Sequence, residues 1–365
     1  MSIRSASSLL FVYLGLTCLA CVHTSERTLL FTAENKVAAA PKRDTIKFPF
    51  DYDPNFIKIF SPDKWMIADS KTVWTTNNGG QAWQKTFEPP DSDARPPNVR
   101  GLSSPGENIV FLATDDSLFR SDNFGEKWQR QGAINFSTNG IFFIDNKKGW
   151  AVATSFDKPE EEAENTPLYE GAIYSTIDGG ISWKKNKIDG VEALARKFDR
   201  WSLADIIAFD SGKGFAAGSG IILQTDNFGE TWKVTNAESL EYYKIGFLNE
   251  NFVWALTTGG YREFSLTKDG GNKWQTVSLP ETNRETAQFV EFMDEKTVLA
   301  GLNNLYLTTT SGKDWSKIEN PNYIYYAELE KDGAVIALAK DEKRSFSMRS
   351  IDKGKHWTTN WQVPK

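Results

Sequence analysis

Cysteine and histidine are nearly absent from this chain of 365 residues, which contains two of each. Both cysteines, Cys18 and Cys21, lie close to the N-terminus, so no disulfide can form within the long remainder of the chain. One histidine, His23, lies in the same region, and the other is His356. The body of the chain therefore lacks the residues for a histidine-rich metal site or a Ser-His-Asp triad.

Excess positive charge and phosphate-binding loops are also missing. The formal net charge is −6, and no uniform basic stripe occurs, which argues against nucleic acid as the main partner. The pair Gly259-Gly260 is not followed by a helix pattern with a lysine, as a phosphate loop requires. After the N-terminal segment, no run is long and apolar enough to cross a membrane. We therefore expect neither a cofactor nor a metal.

The first 20 residues have the pattern of a secretory signal peptide, because Arg4 precedes an apolar run over 9–20. Cleavage after residue 20 leaves Cys21 as the first mature residue. A lone cysteine there resembles a bacterial lipoprotein signal, in which the thiol is lipidated, although Cys18 occupies a position where leucine is usual. We expect an exported protein that is membrane-anchored through Cys21, or else periplasmic or secreted. Residues 21–44 are predicted to be a flexible tether.

Seven copies of one eight-residue pattern occupy the rest of the chain, with Ser or Thr, then Asp, Asn or Thr, then Gly, then Trp at offsets 0, 2, 4 and 7. A short polar side chain at the second position can bond backbone N–H groups of a turn, and the glycine supplies a positive φ. The sixth copy has threonine where an acid or amide is usual, so its turn bond should be the weakest. The second and fourth positions are Asn78 and Trp83, Asn123 and Trp128, Asp178 and Trp183, Asn227 and Trp232, Asp269 and Trp274, Thr310 and Trp315, and Asp352 and Trp357.

This pattern is the Asp-box, also called the bacterial neuraminidase repeat. Each copy lies between two short apolar or alternating runs, which is typical of a β-hairpin. Successive box tryptophans are 41 to 55 residues apart, the length of one four-stranded propeller blade. The sequence predicts an all-β, seven-bladed β-propeller over 45–365, with an Asp-box hairpin between strands 3 and 4 of each blade. A strand within 46–50 is expected to help close the ring.

Three long connections, 88–100, 155–170 and 187–202, are predicted to emerge on the face opposite the boxes, because strands alternate in direction. Long loops on a rigid scaffold concentrate binding residues, and arginine and tryptophan are favoured anchors. One hypothesis is a protein-binding patch; the alternative is that these connections are surface decoration, or that their basic residues pair with the acidic stretch 157–164. The patch would consist of Arg95, Arg100, Arg196, Arg200 and Trp201.

Asp-boxes also occur in sialidases, so a glycan-binding or glycan-cleaving protein is the competing prediction. This chain lacks the Arg-Ile-Pro motif of those enzymes. A hydrolase of the xyloglucanase type needs two carboxylates across a cleft and typically uses two propellers, whereas this chain has the length of one. A glycan-binding protein would stack sugars on exposed aromatic residues, for which Tyr169, Trp201 and Tyr261 are the candidates.

The blade motif resembles that of the photosystem II assembly and stability factor family of plants, cyanobacteria and related bacteria. Residues 213–218 read Lys-Gly-Phe-Ala-Ala-Gly and continue through Thr225 to Trp232; 148–152 and 252–255 match in part. The resemblance implies a non-enzymatic propeller that binds proteins of a membrane complex as an assembly scaffold. It also implies an arginine-rich face, and no dense arginine cluster is present here. Membrane contact is then expected only through the N-terminal lipid anchor.

Overall fold

A computed structural model describes residues 56–359, and within this range the chain forms 29 β-strands and no helix. The predicted signal peptide, tether and strand within 46–50 lie outside the described residues. No helix of the described part is long and apolar enough to cross a membrane. The structure leaves out 62, 81, 89–97, 107, 156–169, 191–200, 237–239, 259–262, 281–286, 303, 320–322, 330–333 and 341–344.

The strands form seven sheets, each built from consecutive strands of the chain, and every pairing is antiparallel except one in blade 4. Blade 1 contains β1 (Phe56–Ile59), β2 (Trp65–Ala68), β3 (Val73–Thr76) and β4 (Gln84–Phe87). Blade 2 contains β5 (Val99–Ser103), β6 (Val110–Thr114), β7 (Ser117–Ser121) and β8 (Gln129–Ala133). Blade 3 contains β9 (Ser137–Phe143), β10 (Gly149–Ser155), β11 (Glu170–Thr176) and β12 (Lys184–Lys185).

The remaining four blades follow the same order. Blade 4 contains β14 (Leu203–Ala208), β15 (Gly214–Gly218), β16 (Ile221–Thr225) and β17 (Thr231–Asn236), together with β13 (Lys187–Asp189). Blade 5 contains β18 (Tyr242–Asn249), β19 (Phe252–Thr257), β20 (Glu263–Thr267) and β21 (Gln275–Ser278). Blade 6 contains β22 (Phe289–Phe292), β23 (Val298–Gly301), β24 (Leu305–Thr308) and β25 (Ser316–Ile318), and blade 7 contains β26 (Tyr323–Leu329), β27 (Val335–Lys340), β28 (Ser345–Ser350) and β29 (Thr358–Thr359). The predicted seven-bladed β-propeller is confirmed.

The core lies between the faces of neighbouring blades. Strands such as β6, β15, β19 and β23 are buried at every residue, because a sheet stacked between two others is covered on both faces. Their sequences are therefore short continuous apolar runs. One such layer joins blades 5 and 6, where Trp254 lies 4.6 Å from Phe292 between ring centroids.

One strand departs from the simple order of the blades. After the two-residue β12, the chain crosses to the next blade, and β13 pairs in parallel with the outer strand β17. The ladder aligns Lys187 with Thr231 and Asp189 with Lys233. The prediction that 187–202 is a loop throughout is wrong for its first three residues, which form β13.

Candidate functional site

The first strands of the seven blades surround an axial cavity of about 480 Å³. Each blade contributes to its lining, including Lys58, Arg100, Asn139, Asp205, Lys244 and Gln288. Gln288 precedes its first strand, and most of the others lie in the first half of theirs, so the cavity reaches the face where first strands begin, which we call the entry face. Ser104 and Val110 line it from the other end of the first strand of blade 2. The Asp-box turns follow the third strands and therefore lie on the opposite face, which we call the box face.

Polar side chains on the cavity wall join the first strands of neighbouring blades. The hydroxyl of Ser103 in blade 2 accepts a hydrogen bond from Phe143 N in blade 3, at 2.8 Å. The amide of Asn139 in blade 3 donates to Leu203 O in blade 4, also at 2.8 Å. These bonds connect strands that are not paired in one sheet.

The same arrangement continues in the next blades. Asp205 in blade 4 accepts a hydrogen bond from Ile245 N in blade 5 at 2.9 Å, and burial raises the pKa of this carboxyl. The hydroxyl of Tyr243 in blade 5 donates to Ala287 O, which precedes the first strand of blade 6, at 2.8 Å. Much of the polar lining therefore has a structural role between blades.

Two carboxylates make the corresponding contacts from blade 6 to blade 7 and from blade 7 to blade 1. Glu291 accepts a hydrogen bond from the backbone of Leu329 in blade 7, and Glu328 accepts one from Ile59 N in blade 1 at 3.4 Å. Glu328 also pairs with Lys58 at 2.9 Å and accepts the Tyr326 hydroxyl at 2.6 Å. Glu291 thus links blade 6 to blade 7, and Glu328 links blade 7 to blade 1.

Burial and the negative charge of Glu328 raise the pKa of Glu291 to about 7, although the positive charges of Lys244 and Lys58 lower it in part. Burial, together with Glu328, raises the pKa of Tyr326 well above its usual value, so the phenol stays protonated and donates its hydrogen bond. Within the described residues, no group of three or more His, Cys, Asp or Glu side chains is arranged to hold a metal ion.

Arg100 lies on the cavity wall as an exposed cation paired with Asp115. Burial alone would raise the pKa of Asp115, but hydrogen bonds from Asn98 and Arg100 lower it below its usual value. Of the predicted patch, Arg95, Arg196 and Arg200 lie outside the described residues, as do Tyr169 and Tyr261 of the glycan alternative.

Trp201 is a core residue, and the prediction that it acts as a surface anchor is wrong. Its side chain is only 1% exposed and packs in the cluster between blades 3 and 4 with Trp232. Gly171 leaves the room for its ring, because a Cβ there would lie 2.4 Å from the indole. The same burial removes Trp201 from the candidates for sugar stacking.

The box turns share one hydrogen-bond pattern, shown by blade 3. The Thr176 hydroxyl donates to Asp178 Oδ1 at 2.7 Å and accepts from Gly180 N at 2.9 Å. Asp178 Oδ1 also accepts from Ser182 N at 3.0 Å, and Gly180 has a φ of 85°. In the sixth turn the Thr310 hydroxyl takes the place of the carboxylate and accepts from Asp314 N at 3.0 Å. The polar side chain and the glycine therefore hold the turn, and the box has no contact with the axial cavity.

The fold and the site define a seven-bladed β-propeller with a lined axial cavity and with structural Asp-box turns on the box face. Comparison with known proteins then gives the particular relatives. The chain is 24% identical to the photosystem II assembly lipoprotein Ycf48 of Synechococcus sp. (strain CC9902), over 69% of this chain and 70% of that protein. It is 20% identical to the chloroplastic photosystem II stability/assembly factor HCF136 of Oryza sativa subsp. japonica, over 58% of this chain and 66% of that protein.

The solved structure of YCF48 bound to D1 peptide has a similar fold. It superposes with a TM-score of 0.56 at 15% identity, covering 83% of this chain and 98% of that chain. No protein-family model matches the chain. The resemblance to photosystem II assembly factors, inferred above from the blade motif, is confirmed at this low identity.

Proposed function

We propose that this chain is a non-enzymatic assembly factor that binds a segment of a client protein from a membrane complex on its entry face. The observation that carries the proposal is the similarity to a photosystem II assembly lipoprotein over 69% of the chain. A structurally similar relative is solved with a D1 peptide bound, which supports a protein segment as the ligand.

The entry face offers a site of suitable size and charge. A cavity of about 480 Å³ falls in the range of ligand pockets and accommodates a few side chains of a peptide or chain terminus. Lys244 supplies exposed positive charge at its wall, and Arg100 supplies a cation that is paired with Asp115. Asn139 and Gln288 supply amide groups. Such a mixed lining favours a polar protein segment over an apolar ligand.

We further propose that Arg95, Arg196 and Arg200 act as anchors around this cavity. They belong to connections that lead into the first strands of blades 2 and 4, so those connections end on the entry face. Charges at the border of an interface mainly steer association and set specificity. Export and anchoring through Cys21 would keep the propeller beside membrane-embedded clients, as in the relatives described as lipoproteins.

The test is recovery of the client by cross-linking. The full chain, with its own signal and a C-terminal affinity tag, is expressed in a photosynthetic bacterial host, cross-linked, purified and examined by mass spectrometry. We expect a specific membrane complex. A variant with Arg95→Ala, Arg196→Ala and Arg200→Ala should recover roughly tenfold less client, because several charge contacts are lost.

The matched control removes three exposed lysines from the box face by Lys127→Ala, Lys273→Ala and Lys355→Ala. This control should recover the client as the wild type does, and both variants should keep the wild-type thermal midpoint. Equal recovery by both variants would remove the arginines from the site. Recovery of no client by the wild type would contradict the assembly function itself.

A further inference from the structure

The box turn of blade 3 exposes two isoleucines at its tip. Ile177 is 78% exposed and Ile181 is 65% exposed, although large aliphatic side chains are usually buried. They occupy the second and sixth positions of the eight-residue box. Five of the other six boxes have polar residues at both positions, and the blade 7 box has one exposed isoleucine, Ile351. The pairs at these positions are Asn77 and Gln81, Asp122 and Glu126, Asp226 and Glu230, Lys268 and Asn272, Thr309 and Lys313, and Ile351 and Lys355.

Positive side chains surround this tip. The turn between β9 and β10 touches it, because Gly179 N donates to Lys147 O at 2.9 Å, and Lys147 and Lys148 are both exposed. The box continues into β12, whose two residues, Lys184 and Lys185, are also exposed. From blade 2, Arg120 reaches the same turn and donates to Asn146 O at 3.3 Å.

The acidic side chains of this area are engaged in local bonds. Asp145 caps its turn by accepting from Lys147 N and Lys148 N, each at 2.6 Å. Asp178 accepts three hydrogen bonds within the box, and Asp122 pairs with Arg120 at 2.7 Å. Five cations therefore face three carboxylates, a local balance of +2. The adjoining boxes carry the exposed acids Glu126 and Glu230, so the positive area is centred on blade 3. It reaches blade 4 through Lys148, whose ammonium lies 4.8 Å from the centre of the Phe228 ring.

We propose that this tip, formed by Ile177, Ile181 and the lysines 147, 148, 184 and 185, docks on an anionic lipid bilayer. The tip is a convex turn rather than a groove, and protruding aliphatic side chains with lysines beside them match the boundary between acyl chains and headgroups. Lysines close to an anionic membrane surface are attracted to its phosphate groups. The lipid surface is thus the occupant that fits both the apolar and the charged part.

The chain before Phe56 is consistent with this orientation. About 35 residues separate Cys21 from the first strand, a contour of roughly 110 Å that can reach either face of the propeller. A lipid anchor would hold the box face at a high local concentration beside the bilayer. The entry face, with its axial cavity, would then point away from the membrane, toward parts of a client that protrude from it.

The test places an environment-sensitive fluorophore at the tip. The full chain carries Cys18→Ser and Cys21→Ser, and a single labelled cysteine is introduced by Ile181→Cys or, as the matched control, by Lys313→Cys at the same position of the blade 6 box. Both proteins are mixed with vesicles of phosphatidylcholine, with or without phosphatidylglycerol. Quenching by spin-labelled lipid reports insertion of the tip itself, whatever the N-terminal segment does.

We expect the probe at 181 to shift to the blue and to be quenched on vesicles with phosphatidylglycerol, and the probe at 313 to remain in water. Adding Lys147→Glu and Lys184→Glu should reduce quenching at 181 to the control level, whereas Lys268→Glu with Lys273→Glu on blade 5 should not. A probe at 181 that stays in water on both kinds of vesicle would overturn the proposal. So would a blue shift that requires a second protein.

Discussion

Side chains on the wall of the axial cavity hold neighbouring blades together. The first strand of a blade pairs only with the second strand of its own sheet, so side chains make the polar contacts to the next blade at the axis. Glu291 makes such a contact from blade 6 to blade 7, and desolvation together with the neighbouring carboxylate of Glu328 disfavours its charged form. The folded protein therefore favours the protonated form of Glu291 and is destabilised when this carboxyl ionises.

We predict that Glu291→Gln stabilises the protein in alkaline solution. The pKa of Glu291 rises from 4.5 to about 7 in the folded state, so its stabilising contribution is complete below about pH 4.5 and is lost as the pH rises through about 7. Glutamine keeps an acceptor for the Leu329 backbone and carries no charge. The free energy of unfolding above about pH 7 should rise by about 1–3 kcal/mol.

Denaturant unfolding over a pH series measures this effect. The gain should shrink toward zero as the pH falls below about 4.5, where wild-type Glu291 becomes protonated in both states. Glu295→Gln, at an exposed position shortly after β22, serves as the control and should show no such pH-dependent gain. A constant difference across the series would show that charge at Glu291 is not its cause.

The Asp-box hairpin is the repeated element of the fold. In its turn, the side-chain oxygen of the third box residue accepts a hydrogen bond from the backbone N–H four residues later. In blade 3 that oxygen belongs to the carboxylate of Asp178, while in blade 6 it belongs to the hydroxyl of Thr310. Hydrogen bonds to an ionised acceptor are roughly twice as strong as neutral ones. The two hydrogen bonds have the same length of 3.0 Å, but the bond to the Asp178 carboxylate should be the stronger of the two.

We predict that Asp178→Ala costs about 1–2 kcal/mol of stability and Thr310→Ala about 0.5–1 kcal/mol. Burial would raise the pKa of Asp178, but hydrogen bonds from Ser182 and Thr176 lower it, so its contribution is present at neutral pH and is lost as the pH falls through the folded pKa. Denaturant unfolding of both variants at neutral pH is the measurement. A larger loss for Thr310→Ala would contradict the ranking.

The hairpins and blades could be predicted because their signals are local. Each box combines turn residues with flanking runs within about a dozen residues, and in blade 4 the box lies between β16 and β17 as the sequence predicts. The parallel strand β13 could not be predicted, because it pairs with residues 44 positions away and no turn links the two strands. Trp201 was misassigned for a related reason, since its burial depends on the empty space at Gly171 in another strand.

Ring closure depends on the contact between blades 1 and 7. Among the described residues this junction consists of an apolar cluster with Trp65, Ile336 and Leu338, together with the Lys58–Glu328 ion pair. The boxes predicted the number of blades, but the polar contacts around the axis depend on strands far apart in sequence. Alternation along a single strand does not reveal which residue faces a partner in the next blade.

We predict that Leu338→Ala at this junction and Leu223→Ala between blades 3 and 4 each lower stability by about 2–5 kcal/mol. Both leucines are fully buried, so the junction between the first and last blades should be as sensitive as an internal one. Unfolding by denaturant, followed by tryptophan fluorescence, measures both losses. A much smaller loss at Leu338, or a second transition, would show that the ring opens at this point before it unfolds.

The strand β13 also affects how copies of this protein behave toward one another. Over the described residues, the outer strand has two to five residues in six blades, whereas β17 in blade 4 has six. An exposed outer strand is a template for adding a strand from another molecule, and length increases that hazard. Short edges with lysines such as Lys85 and Lys317 discourage such pairing, and β13 covers part of the one edge that is long. The crossing from blade 3 to blade 4 thereby protects a repetitive β-protein from edge-to-edge aggregation.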